Sequence, residues 1–433
     1  MKAATALLLA TLLAARSGAD GIPPYPPEVL GERAISYDAS GVRPVSAAPA
    51  PGVHPRVYFN AEDLPAIRER LASTAVGQEA MTMIRLYTDF LRNGRSVAWD
   101  SKPSSFKLMP DGTPRIGNAG LYDRSLVYNQ LVAGTTTKLA EMIAANDGTG
   151  LYTLAGEMSL EAFECLVDEG QPGIATRAAN LAAALDTWCT HVLSLPALGP
   201  QHNLGGHLTA LTYDMAFPAM SPDQRTRARA ALARLMAGYA ATPYTGVGCA
   251  PEAVATNWVA INSFTLLTAC ALEGELTLAE HGISSEALAD WFTGAMHSHH
   301  KFLTYGWFAS GSGLEGQGKN YLFGAHMIPY ARRGHDFFHH PHARAYGRAW
   351  MPAVTQPFGY SFTAYDLLGG SGSNPEKGRY FLNSLDYSGL KWRYPDDPAV
   401  DFAWRNFVLT EYKDAGGQWQ TFPDLREAQF TIR

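Results

Sequence analysis

The chain has 433 residues, a formal net charge of −6 and 46% hydrophobic residues, with 41 glycines and 27 prolines. That length suits one large globular domain, and the lack of a basic tract excludes a partner bound through nucleic-acid phosphates. No uninterrupted apolar stretch reaches the roughly 20 residues of a bilayer span, so a soluble chain with no membrane partner is expected.

The N-terminus has the form of a secretory signal over residues 1–19. Lys2 supplies the positive start, residues 3–15 a short apolar run, and Ser17-Gly18-Ala19 a small-residue cleavage site. The mature chain is therefore expected to be secreted or periplasmic. Four cysteines, Cys165, Cys189, Cys249 and Cys270, could form two bridges there or remain buried thiols. Their spacing matches no zinc pattern, so no metal and no cofactor are expected.

Residues 20–52 are rich in Pro, Ala and Gly, and read as an extended arm lying on the body. Helical signals follow. Asn60 can cap a helix with Asp63 three residues on, and Leu64, Ile67 and Leu71 share one face. Leu181, Leu185, Trp188 and Val192 repeat the pattern, and a helix is expected over residues 204–217. Ser221-Pro222-Asp223-Gln224 combines an N-cap serine, a first-turn proline and a capping-box glutamine, with Ala228, Leu232, Leu235 and Tyr239 as the buried stripe. Val254, Trp258, Ile261 and Phe264 make another stripe, and a further helix is expected over residues 284–302. From Leu390 the chain reads as less helical, a segment that closes the body. Strand alternation is scarce, and the helices come in pairs separated by Gly/Pro loops. Such hairpins curve into a solenoid or close into a ring. The expected fold is all-α, an incomplete (α/α) toroid of helical hairpins in a single domain over residues 53–433, acting as a monomer.

Separated patches carry a resemblance. His54-Pro55-Arg56-Val57-Tyr58-Phe59, Tyr213-Asp214, Asn257-Trp258, Glu315-Gly316 followed by Tyr321, and the closing run from Lys391 to Pro398 occur in that order. Together they resemble the heparinase II/III-like and alginate-lyase-like toroidal polysaccharide lyases, and most nearly the single-domain members acting on alginate or glucuronan. The resemblance implies a lyase that takes an anionic uronic-acid polysaccharide. Two departures stand out: the β-sandwich of the larger family members is missing, and Trp258 stands where many members carry His.

β-Elimination needs the C6 carboxylate neutralised, the C5 proton removed and the departing O4 protonated. Asn257 is the candidate neutraliser and Tyr321 the candidate proton shuttle, its phenol needing cationic neighbours such as Lys319, Arg332 and Arg333 to titrate lower. Tyr321 follows a Gly-rich stretch, residues 311–318, of the kind that lets backbone approach a ligand. His202 and His207 are candidates for a separate base, with a core histidine the competing reading for His207. Trp258 either stacks on a sugar or packs in the core. Glu315, Lys319, Arg124, Arg332 and Tyr305 complete the candidate substrate-binding set. The group His335, His339, His340 and His342 reads as a solvated surface, not a metal site. A glycoside hydrolase, a uronate C5-epimerase and a non-catalytic binding toroid are the competing functional classes, and a hydrolase would need a carboxylic-acid pair that no recognised pattern supplies.

Overall fold

The computed structural model describes residues 37–94, 124–145, 147–196, 206–240, 266–275, 326–345 and 384–401, positions 292, 296 and 303, and two short strands. Helix accounts for 72% of this part, which makes the class all-α. The strands, β1 (Tyr412–Lys413) and β2 (Trp419–Gln420), form one antiparallel pair with Tyr412 opposite Gln420.

A single 3-10 turn, Ala61–Asp63, leads into α1 (Leu64–Ser73). The Asn60 N–H donates to Asp63 Oδ2 at 2.8 Å, and Leu64, Ile67 and Leu71 are buried on the face their spacing predicts. Thr74 ends α1 and caps α2 (Ala75–Asn93), its hydroxyl accepting from the Gly77 N–H at 3.0 Å. Next come α3 (Arg124–Val132) and α4 (Thr137–Ala144). Asp147 then caps α5 (Gly148–Val167), accepting from the Gly150 N–H at 2.9 Å.

Helix α5 is the axis of the described body. It packs against α2, against α6 (Ile174–Ser194) and against α7 (Gly206–Ala216). Residues 154–165 are buried without interruption, so over this stretch α5 is enclosed on every side. Its hairpin partner α6 buries the expected stripe Leu181, Leu185, Trp188 and Val192. A 3-10 turn, Phe217–Ala219, follows α7, and then α8 (Pro222–Ala240) returns along α6. The capping box of α8 is present as read: Ser221 N–H donates to Gln224 Oε1 at 2.9 Å and Gln224 N–H to Ser221 Oγ at 3.3 Å. Ala228, Leu232 and Leu235 are buried beneath it.

The later elements are residues 266–272, α9 (Met327–Ala331), the 3-10 turn Phe337–His339 and α10 (Ser384–Arg393). Two expectations are corrected here. The segment from Leu390 begins as the last turn of α10, because Leu390 and Tyr394 lie one helical turn apart and both are buried. The group His335 to His342 is not a solvated surface. His340 is 1% exposed and packs edge-on against Tyr37, while His339 pairs with Asp336 at 3.2 Å and His342 Nδ1 meets the Leu303 carbonyl at 2.9 Å. Covering by residues 37–40 explains the change, since the Asp38 N–H donates to the His339 carbonyl.

Residues 37–52 form no helix or strand and run over the body. Arg43 N–H donates to the Arg393 carbonyl, Ala48 N–H to the Arg332 carbonyl and Gly52 N–H to the Glu273 carbonyl. Cys165, Cys189 and Cys270 are free, buried thiols; burial pushes the Cys165 thiol up to about 12 and the Cys270 thiol up to about 11. Cys249 lies outside the described residues. Among the described residues no helix is long and apolar enough to cross a membrane, and no group of His, Cys, Asp and Glu has metal-binding geometry.

Candidate functional site

Two motifs far apart in sequence meet at the end of α7. Asp214 accepts from the backbone N–H groups of Arg56 (2.9 Å) and Val57 (3.0 Å), and His54 Nδ1 lies 2.7 Å from its Oδ1. The other ring nitrogen of His54 contacts Glu275, whose second oxygen accepts from the Tyr213 hydroxyl and lies 3.5 Å from Arg229. Phe217 stacks on the imidazole with ring centroids 4.1 Å apart. The His54–Pro55 peptide is cis.

The charges of this junction answer one another. Burial works against a charged His54, but the hydrogen bonds and charges of Asp214 and Glu275 outweigh it and raise the imidazole pKa above its ordinary value. Burial likewise opposes ionisation of Glu275, yet its bonds from His54 and Tyr213 hold its pKa below the usual carboxylate value. Burial and the Glu275 carboxylate push the Tyr213 phenol up. Next to this cluster, Glu273 bridges Arg56 (2.7 Å) and Arg333 (3.0 Å). With both ring nitrogens engaged and its side chain out of contact with solvent, His54 connects elements and does not present a base to a ligand.

The sequence-predicted site residues fall into two groups. Asn257, Trp258, Tyr305, Glu315, Lys319, Tyr321 and His202 lie outside the described residues, and His207 is described only as a backbone position in the first turn of α7. Asp214, seven residues further along α7, is committed to His54, Arg56 and Val57. Arg124 is buried on α3 in a two-pronged pair with Glu157 of α5, both contacts at 2.8 Å, so its charge is already met. Arg332 is buried under the arm, donating to the Ser46 carbonyl at 3.0 Å and to the Asn60 side chain, with Asp63 3.7 Å away. Arg333, considered beside Tyr321, is held by Glu273.

No family model matches the chain, and a search of curated proteins returns no matching sequence.

Sequence reasoning singled out the His54 and Tyr213-Asp214 patches but missed Glu273 and Glu275, which receive them. Glu273-Gly274-Glu275 ends the helical run 266–272, and Gly274 has φ +76°, where a side chain is strained and would collide with Pro51. Two carboxylates flanking a glycine just past a helix end were the available signal.

Proposed function

We propose that this chain is a secreted (α/α)-toroid polysaccharide lyase that cleaves a uronic-acid polysaccharide, alginate or glucuronan, by β-elimination. The observation that carries the reading is the junction at Asp214. Two of the patches that resemble the toroidal lyases, His54 to Val57 and Tyr213-Asp214, are joined directly across 157–160 positions of sequence. Patches that resembled the family by accident would have no reason to share one buried carboxylate. The stacked hairpins α5–α6 and α7–α8 supply the repeating unit such a toroid needs.

In this reading the amide N–H of Asn257 donates to the substrate carboxylate and makes the C5 proton acidic. A base removes that proton, the electron pair forms the C4–C5 double bond, the C4–O4 bond breaks, and O4 takes a proton. Tyr321 serves as the shuttle, with His202 or His207 as the alternative base. No water is consumed, so the product carries an unsaturated uronate.

Incubation with alginate and with glucuronan, followed by ultraviolet absorbance of the unsaturated uronate, tests the proposal. Tyr321→Phe should abolish the signal with the thermal transition unchanged. New reducing ends without the absorbance would replace the lyase reading with hydrolysis.

A further inference from the structure

A second feature lies apart from the His54 junction. A cavity of about 200 Å³ opens between the arm, α1, α5, α7, α9 and α10. Its floor is Ile67, Phe163, Leu211 and Ile328, all buried, and Phe59 and Trp392 stand among its walls. A dry apolar cavity of roughly 150 Å³ is enough to hold benzene, so this one has room for a single ring and a short stem. Its lining is mainly apolar and aromatic, which disfavours a sugar and favours an apolar body with a few placed polar contacts.

Two charged side chains stand at the cavity, and only one of them is held by direct partners. Arg70 and Asp63 both line it. Asp63 is already engaged by the Ser46 hydroxyl at 2.7 Å and the Asn60 N–H, with Arg332 3.7 Å away. Arg70 has no such partner: among the described residues no carboxylate closes an ion pair with it or with Arg43. Partial burial and the nearby Arg43 charge work against the charge of Arg70, the Asp63 and Glu69 carboxylates support it, and the residue is exposed, so its guanidinium is open to an incoming anion. Guanidinium groups suit a carboxylate because their fork matches its two oxygens.

We infer that this cavity is a binding site for a small aryl carboxylate, its ring on the Phe59, Phe163 and Trp392 walls and its carboxylate on Arg70. The inference is argued from described residues alone and uses none of those proposed for elimination.

Calorimetric titration of the full chain with 3-phenylpropionate, 3-phenylpropanol and glucuronate tests the assignment. Phenylpropionate should bind at least 10-fold more tightly than the alcohol, with salt weakening it, and glucuronate should give no heat. Arg70→Gln should bring the acid and the alcohol to equal affinity. Ala66→Trp, at an exposed lining position of α1, should fill the space and abolish binding while leaving the thermal transition in place. A folded wild-type protein that shows no binding of phenylpropionate at millimolar concentration overturns the inference. So does binding that survives Ala66→Trp, or equal affinity for acid and alcohol in the wild type.

Discussion

Among the described residues, the buried ionic ladder along α5 and the buried junction around His54 are built from different chemistry. Along α5, Glu157, Glu161 and Glu164 lie on one face of an enclosed helix. Arg124 of α3 meets the first, Arg92 of α2 and Arg177 of α6 meet the second, and Arg177 with the Thr88 hydroxyl meets the third. The Arg177 nitrogens donate to Glu161 at 2.8 and 2.9 Å. The second region, around His54, joins the arm to α7 and to the turn after residues 266–272. The α5 ladder pairs carboxylates with guanidinium groups that never lose their charge at ordinary pH. The arm junction places a titratable imidazole between two carboxylates. The first is a permanent brace between neighbouring helices; the second ties a helix-free segment down by a bond whose strength follows pH.

Removing one partner from the α5 ladder should have the largest effect. Glu157 is fully buried, so Glu157→Gln removes the negative charge that the buried Arg124 guanidinium reaches through both 2.8 Å contacts. Breaking a buried pair this way costs about 3–5 kcal/mol. Urea denaturation should show the midpoint falling by the corresponding amount with the slope unchanged. Replacing both residues with methionine should recover much of the loss, since it removes the buried cation along with its carboxylate. A Glu157→Gln protein within about 1 kcal/mol of wild type would show that the pair is not dry.

Asp214→Ala should cost about 2–4 kcal/mol, because it strips the acceptor from two backbone N–H groups and from His54. The comparison predicts a different symptom. Loss of the ladder loosens the helices together, whereas loss of Asp214 frees the arm first. Limited proteolysis should therefore cut between residues 37 and 57 in Asp214→Ala long before it cuts α5 or α6. Simultaneous digestion of all segments would mean that the arm and the helical body unfold as one unit.

The same contrast explains what the sequence could disclose. Helices whose burial follows a single stripe were legible: the faces of α1 and α6 and the capping box of α8 are where periodicity and capping rules put them. These signals are local, set by side chains three or four positions apart. The enclosure of α5 was not legible, because a helix buried all round has no contrast between faces to read. Nor was the role of Arg124. Its partner Glu157 lies on another helix, and an arginine near a tyrosine looks the same whether it awaits a substrate or neutralises a core glutamate. At the junction, the two halves were visible as motifs, but their meeting depends on tertiary packing across some 160 residues, which no local rule encodes.

Gly274→Ala should act on the same attachment as Asp214→Ala. The residue adopts φ +76°, which costs a non-glycine residue about 1–2 kcal/mol, and the added methyl group would meet Pro51 of the arm. The midpoint of unfolding should fall by at least that amount, because the arm must shift to admit the methyl group. Hydrogen exchange should rise at the Gly52 and Arg56 amides while the α5 and α6 amides stay protected. Equal loss of protection in all four places would remove the distinction between the arm and the helical body.

The pH dependence tests the junction without the loss of a contact. His54 has a raised pKa in the folded chain, so its contribution is complete below its unfolded value, near 6.5. It disappears as pH rises through the higher folded value. Glu275 has a lowered pKa, so its contribution is complete above its unfolded value, near 4.5, and is lost as pH falls through the lower folded value. Both are therefore fully present between about pH 4.5 and 6.5, and the alkaline decline belongs to His54. The groups facing the imidazole are Asp214, Glu275, Tyr213 and Phe217, and the phenol of Tyr213 is held neutral well beyond this range, so it adds no slope of its own. Urea midpoints measured from pH 5 to pH 9 should fall across the alkaline half for wild type. His54→Gln keeps a donor but cannot titrate, so its midpoints should start lower and stay flatter, and the two curves should converge as pH rises. The Glu157→Gln protein should retain the wild-type slope, because the substitution leaves the His54 junction untouched. Parallel curves for wild type and His54→Gln would mean that the imidazole between Asp214 and Glu275 carries no proton-linked stability, and the two ionic regions would then differ in position alone.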